Sequence, residues 1–100
     1  MKPVAALLAA VVSLTKSMAL ELARNRIRVN AIATGYFETE INDAYLASEA
    51  GKRMVAGVPM RRAGKLEELD GPLLLLASEA GAFMTGSVIM VDGGHRLAMG

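Results

Sequence analysis

The chain has 100 residues, enough for one small domain. Its residues are 53% hydrophobic but only 4% aromatic, with no tryptophan, so a core must be assembled from Leu, Val, Ile, Met and Ala. The 11 basic and 10 acidic residues leave a net charge of +1, without the concentrated basic stripe of a nucleic-acid binder, and the lack of cysteine excludes disulfides and thiolate chemistry.

A mean hydropathy of +0.36 is high for a small chain and predicts an apolar face for another chain to cover. The opening MKPVAALLAAVV weakly resembles a secretory signal, but it runs on at helical spacing into SLTKSMALEL. No apolar run reaches the length of about 20 residues that spans a bilayer. The expectation is a cytoplasmic protein with neither nucleic-acid nor membrane partners, in which Arg24, Arg26, Arg28 and Arg61-Arg62 are solvated charge.

Pro3 suits a first helical turn, where its missing N–H costs nothing. Val4 to Arg24 reads as one helix, with Val4, Leu8, Val11, Thr15, Met18 and Leu22 on one stripe, widened by Leu7 and Leu14. Ser13, Lys16, Ser17, Glu21 and Arg24 lie mostly opposite. The alanines at 5, 6, 9 and 10 allow close approach, and the first two turns, almost without a polar side, predict burial against another subunit. Asn25 can take the left-handed conformation that stops a helix. A strand follows over Arg28 to Ala33, ending in Thr34-Gly35, its small and β-branched residues suited to a parallel sheet.

Residues 36–64 form a long excursion of the kind that serves as a lid or binding loop, or else a plain surface crossover. Asp43 to Val55 can supply one or two short helices, with Ile41, Tyr45, Leu46 and Met54 as apolar contacts. Leu66 to Ser78 reads as a second, almost wholly buried helix, its first turn favoured by Glu67 and Glu68. Pro72 inside it either kinks the helix or marks the start of a shorter one. After a turn over Gly81 to Gly86, Ser87 to Val91 is the second strand. Asp92 organises the Asp92-Gly93-Gly94 turn, and residues 95–100 form a flexible tail. Two strands joined through a helix are parallel neighbours. Alone they leave two backbone edges unpaired, each buried unsatisfied group costing about 1–3 kcal/mol, so pairing with a second copy is expected.

Three stretches, AAVVSLTKSMALELARNRIRVNAIATG, GKLEELDGPLLLLASEAGAFMTG and SVIMVDGG, in this order and spacing, resemble the C-terminal portion of a short-chain dehydrogenase/reductase. The resemblance runs from about Val4 to Gly94. It implies an α/β, partial Rossmann-like fold as a single domain over residues 1–100, with two parallel strands, a crossover helix and a long N-terminal helix, completed by self-association. It implies NAD or NADP as the cofactor of the intact family and hydride transfer to or from an alcohol or carbonyl carbon as its reaction.

The family's glycine-rich pyrophosphate loop has no counterpart in these residues. Gly93-Gly94 is not expected to stand in, since no helix is expected after it. The family's catalytic tyrosine and lysine fall, in this register, at Val4 and Leu8, which can neither donate a proton nor supply a charge. No catalytic residue is therefore expected, and no bound cofactor for the chain alone. The resemblance leaves Ile32 as the apolar residue beside the nicotinamide, Gly35 as the glycine of close approach, and Thr39 as the contact to the carboxamide or phosphate region. Thr34 stands in place of the usual proline. Outside the resemblance, a turn with a helix cap is the favoured reading of the Gly35–Thr39 spacing for the chain alone.

Other candidates are thin. His95 reads as a tail residue, with no metal set around it. Tyr36 and Tyr45 can contact a substrate in a whole enzyme, but they lack a lysine at the family spacing. Glu38, Glu40 and Asp43 form a loop carboxylate cluster without a histidine. The sequence thus predicts a truncated dehydrogenase piece that is inactive alone. The alternatives are a C-terminal part completed by a separate N-terminal half, and a non-enzymatic self-association module.

Overall fold

The computed structural model describes the backbone of residues 3–98 and the side chains of residues 9–98. The elements run in the order α1 (Pro3–Leu22), β1 (Ala31–Thr34), α2 (Asp43–Ala47), α3 (Glu49–Ala56), α4 (Asp70–Ala77), β2 (Val88–Val91) and α5 (His95–Ala98), with single 3-10 turns at Ala23–Asn25, Leu66–Leu69 and Glu79–Gly81. Two compact units result, each made of two separated stretches: Met1–Ala33 with Pro72–Met90, and Thr34–Gly71 with Val91–Gly100. The α/β class and the two-stranded sheet agree with the sequence. Parallel pairing is visible in the ladder, where Ala31 N–H donates to Ser87 O (2.9 Å) and Gly35 N–H to Val91 O (3.3 Å). Among the described residues no helix is long and apolar enough to cross a membrane.

In the first unit, α1 buries Thr15 and Ala19 and half-buries Val12 and Leu22. Residues 12, 15, 19 and 22 share one face at helical spacing. The covered stripe is thus turned from the expected one: Val11, Leu14 and Met18 are exposed, Leu14 to 60%. Ala19 on this face packs near Gly86, where an added methyl group would stand at contact distance, 3.5 Å from the Ala19 Cβ. Thr15 satisfies its hydroxyl by donating to Val11 O at 2.7 Å. The expected burial of the first two turns falls on side chains outside the described residues, apart from Ala9 and Ala10, which are exposed.

The stop signal of α1 is displaced by one residue. Arg26, not Asn25, takes the left-handed conformation, at φ 61° and ψ 33°, and its N–H donates to Ala23 O. A left-handed residue bearing a β-carbon is strained, and glycine removes that strain.

The strand also begins later than expected, at Ala31 instead of Arg28. Residues 28–30 are held mainly through side chains. Val29 N–H donates to Thr85 Oγ1 (3.1 Å), and Arg28 donates to Leu76 O (2.8 Å) and Met84 O (3.4 Å). Asn30 spans the turn, donating from Nδ2 to Met84 O and accepting Ser87 N–H at Oδ1, both at 3.0 Å. Regular pairing takes over only at the next residue.

The second predicted helix is split. Leu66–Leu69 is a 3-10 turn and α4 begins at Asp70, which puts Pro72 in the first turn of a shorter helix, where its missing N–H is tolerated. Its expected burial does not hold: α4 contains no buried residue, and Leu74 is 65% exposed. Four consecutive leucines point all round the helix, so one neighbouring face cannot cover them. At its end Gly81 is mandatory, since a β-carbon there would come within 2.2 Å of Leu75 O.

In the second unit the excursion is ordered around Val58 and Ala63, both buried. Asp43 to Val55 yields two helices broken at Ser48, whose extended backbone (φ −74°, ψ 163°) starts α3 and whose Oγ caps Gly51 N–H at 3.1 Å. Residues 95–98 of the expected tail are helical.

Two substitutions test these assignments. Asn30→Ala leaves Ser87 N–H without its side-chain acceptor and Met84 O with Arg28 alone, and lowers unfolding free energy by about 1–3 kcal/mol, read by urea titration. Arg26→Gly relieves the left-handed strain and raises the midpoint, with a gain of about 0.5–1 kcal/mol.

Candidate functional site

Ile32, in the first unit, lies in β1 and is half-buried. Gly35 and Thr39 belong to the second unit. A β-carbon on Gly35 would lie 2.9 Å from Asp92 Cβ and 3.1 Å from its Cα, so the glycine is required by the protein's own backbone whatever else approaches it.

Beyond Gly35 the chain makes one isolated parallel bridge, Phe37 to Gly64. Gly64 N–H donates to Tyr36 O and Glu38 N–H to Gly64 O, both at 2.8 Å. A methyl group at Gly64 would strike the Phe37 ring at 2.6 Å, which makes this glycine the seat of the ring. The segment then closes on Asn42. Thr39 N–H donates to Asn42 Oδ1 (2.8 Å), Asn42 N–H donates to Thr39 Oγ1 (3.2 Å), and Asn42 Nδ2 donates to Phe37 O (2.7 Å). Thr39 is therefore a turn and cap residue, as its spacing allowed. Its hydroxyl accepts in this network, leaving its proton as a donor.

The other side of the bridge is clipped by charge. Arg62 meets Glu68 with both guanidinium arms, at 2.6 and 2.9 Å, and Glu68 also accepts Lys65 N–H at 2.9 Å. The fork geometry makes this pair stronger than a monodentate one. The hydrogen bond from Arg62, followed by that from Lys65 N–H, lowers Glu68 from 4.5 to about 2. Arg62 is raised in turn, first by its hydrogen bond to Glu68, then by the charge of Glu68, with a smaller contribution from Glu38.

Asp92 is the anchor of the last turn. Its carboxylate accepts Gly94 N–H (3.0 Å) and Arg96 N–H (2.9 Å), and its carbonyl accepts His95 N–H (3.1 Å). A helix does follow Gly93-Gly94, contrary to expectation, and both glycines have positive φ, 62° and 87°. Asp92 sets its own negative charge at the Gly94 amide, which disfavours a phosphate there. A β-carbon on Gly94 would also meet Pro59 at 3.1 Å.

His95 packs its ring against Tyr36, centroids 4.8 Å apart and tilted by 53°, and its Nδ1 is buried with no hydrogen-bond partner among the described residues. Tyr45 stands half-exposed on α2. The described residues hold no group of three His, Cys, Asp or Glu placed for a metal ion.

The structure thus groups Gly35, Phe37, Thr39, Asn42, Gly64 and Asp92 in one unit. Sequence reading missed Asn42, whose signal is the Thr-x-x-Asn spacing of a cap, and the Arg62–Glu68 clip, whose partners are too far apart for local pattern.

The fold is that of an α/β, Rossmann-like family. Residues 2–96 match the family described as enoyl-(acyl carrier protein) reductase, and the chain belongs to the short-chain dehydrogenases/reductases. It is 42% identical over 98 residues to 5-keto-D-gluconate 5-reductase of Escherichia coli, covering 97% of this chain and 39% of that protein. It is also 42% identical over 86 residues to a 3-oxoacyl-[acyl-carrier-protein] reductase of Thermotoga maritima, covering 86% of this chain and 35% of that one. Among solved structures, 4-hydroxyisoleucine dehydrogenase complexed with NADH superposes at a TM-score of 0.80 with 31% identity, over 89% of this chain and 37% of that one. The chain therefore spans little more than a third of the relatives it matches.

The Arg62–Glu68 clip has a pH signature. Because Glu68 is depressed from 4.5 to about 2, its contribution to stability is complete above pH 4.5 and is lost as pH falls through about 2. Unfolding titrations of the parent and of Glu68→Gln differ by a constant amount above pH 4.5, and the difference shrinks steadily toward pH 2.

Proposed function

We propose that this chain is a C-terminal piece of a short-chain dehydrogenase/reductase that does not transfer hydride by itself and persists through self-association. One observation carries the reading: in the family register Val4 and Leu8 stand where a proton donor and a cation are needed. Neither side chain can protonate an alkoxide or lower a phenol's pKa. The engagement of the Gly94 amide by Asp92 supports the same reading. The reaction of the intact parent is oxidoreduction of an alcohol or carbonyl with NAD or NADP, supported by the keto-gluconate and oxoacyl reductases among the relatives and by the NADH carried by a structural neighbour. Ile32, Gly35 and Thr39 are what remains of its nicotinamide side.

Self-association is supported by the exposed Val11, Leu14 and Met18 of α1, at the 3- and 4-residue spacing of a helix-pairing stripe. A second reading, completion by a separate N-terminal half, is favoured by the uncovered leucines of α4 and by a sheet of only two strands.

Purified chain is expected to oxidise NADH or NADPH no faster than a protein-free blank across a panel of ketones and 3-oxoacyl thioesters. Sedimentation is expected to give a mass above that of one chain, returning to the monomer in Leu14→Glu. Turnover above the blank overturns the inactive assignment, and a parent of monomeric mass overturns self-association. Hydride transfer that appears only on mixing with an N-terminal half of a relative selects the second reading.

A further inference from the structure

The second unit carries an open surface cavity of about 420 Å³ that none of the motifs above accounts for. Its apolar wall is Leu46 of α2, Val55 and Ala56 of α3, and Ala63. Its charged wall is Lys52, Arg61 and Arg62, opposed by the single carboxylate of Glu38. The size lies in the range of small-ligand sites, about 300–1,000 Å³.

The three cations differ in how far they are already engaged. Arg62 is forked to Glu68, yet that pair uses one N–H on each terminal nitrogen and leaves its Nε–H over. Lys52 reaches Glu49 only at 4.0 Å, with both side chains largely exposed, a contact too loose to neutralise it. Arg61 has no ion pair among the described residues, and its backbone is left-handed, at φ 61°. That conformation is disfavoured for a residue with a β-carbon, and the turn that imposes it is closed by Arg61 N–H donating to Val58 O at 2.7 Å. Val58 is buried, so the turn is fixed from beneath and the arginine is kept at the wall of the cavity.

We propose that this cavity binds a small amphipathic anion, a carboxylate or phosphate carried on a short alkyl body, with Arg61 and Lys52 as its principal cations. The alkyl body lies against Leu46, Val55, Ala56 and Ala63, and the oxyanion meets the charged wall. The surplus of cations favours an anion, while Glu38 sets a limit on affinity by repelling it. The site makes no use of Ile32, Gly35 or Thr39, and it does not depend on hydride transfer or on the assembly state.

The test is an amide-resolved NMR titration of the full chain with hexanoate, hexyl phosphate and, as the uncharged control, hexanol. Both anions are expected to give saturable shifts at the Val55, Ala56 and Ala63 amides, with the better headgroup distinguishing carboxylate from phosphate. Arg61→Gln weakens binding by about tenfold, and Lys52→Gln, on an exposed helix position where folding is not at issue, by about threefold. Glu38→Gln tightens it by about threefold. Added salt weakens the anions and leaves hexanol unaffected. The proposal is overturned if neither anion saturates these amides, if hexanol shifts them at the same concentrations, or if neither the Lys52 nor the Glu38 variant changes the anion affinity.

Discussion

The side chain of Asn30 is the constraint on which the sheet depends. Its amide bridges Met84 O and Ser87 N–H, two backbone groups in the turn leading into β2. One residue later Ala31 N–H donates to Ser87 O and the regular ladder begins. A parallel pair has no hairpin to set its register, because its two strands arrive from distant parts of the chain. Here a planar amide, with donor and acceptor at fixed separation, does what a tight turn does in an antiparallel pair. Arg28 supports it by holding Leu76 O at the end of α4 and Met84 O together. In this way the residues preceding β1 fix both the end of a helix and the start of the second strand.

The second unit is organised by close backbone approaches, and its glycines are read through them. Gly35 gives way to Asp92, Gly64 to the Phe37 ring, and Gly51 to Tyr45 O, where a β-carbon would stand at 2.0 Å. Each contact joins residues far enough apart for the glycine to define a path of the chain as well as a local turn. The polar groups then lock those paths: Asn42 closes residues 37–42, Arg62 and Glu68 close 62–68, and Asp92 closes the start of α5. Glycine and threonine at 35 and 39 serve the fold first.

What the chain leaves uncovered is as informative as what it buries. Among the described residues only Ala19, Val58 and Ala63 are buried hydrophobic residues, while leucines of α4 and the α1 stripe stand in solvent. Large apolar side chains left exposed in a group mark a surface for another partner. The relatives are more than twice as long, which is consistent with an architecture whose cover comes from elsewhere.

Legibility in the sequence followed the range of the forces involved. Helical and strand periodicity, the proline tolerated early in a helix and the Asp92 turn could be read because each rests on neighbours within a few residues, while the parallel pairing followed from the crossover through a helix. The family motifs added order and spacing, and with them the family itself. The face α1 buries, the exposure of α4, the late start of β1, the left-handed Arg26, the helix after Gly94 and the Arg62–Glu68 fork were decided only by tertiary structure. In each of them a residue meets a partner outside its own pattern, or fails to meet one, and no local spacing encodes that outcome. The sequence by itself determined which elements can form and which family its motifs resemble. Tertiary packing decided which face each element covers, because burial depends on the shape of the opposing surface as well as on the hydrophobicity of the residue.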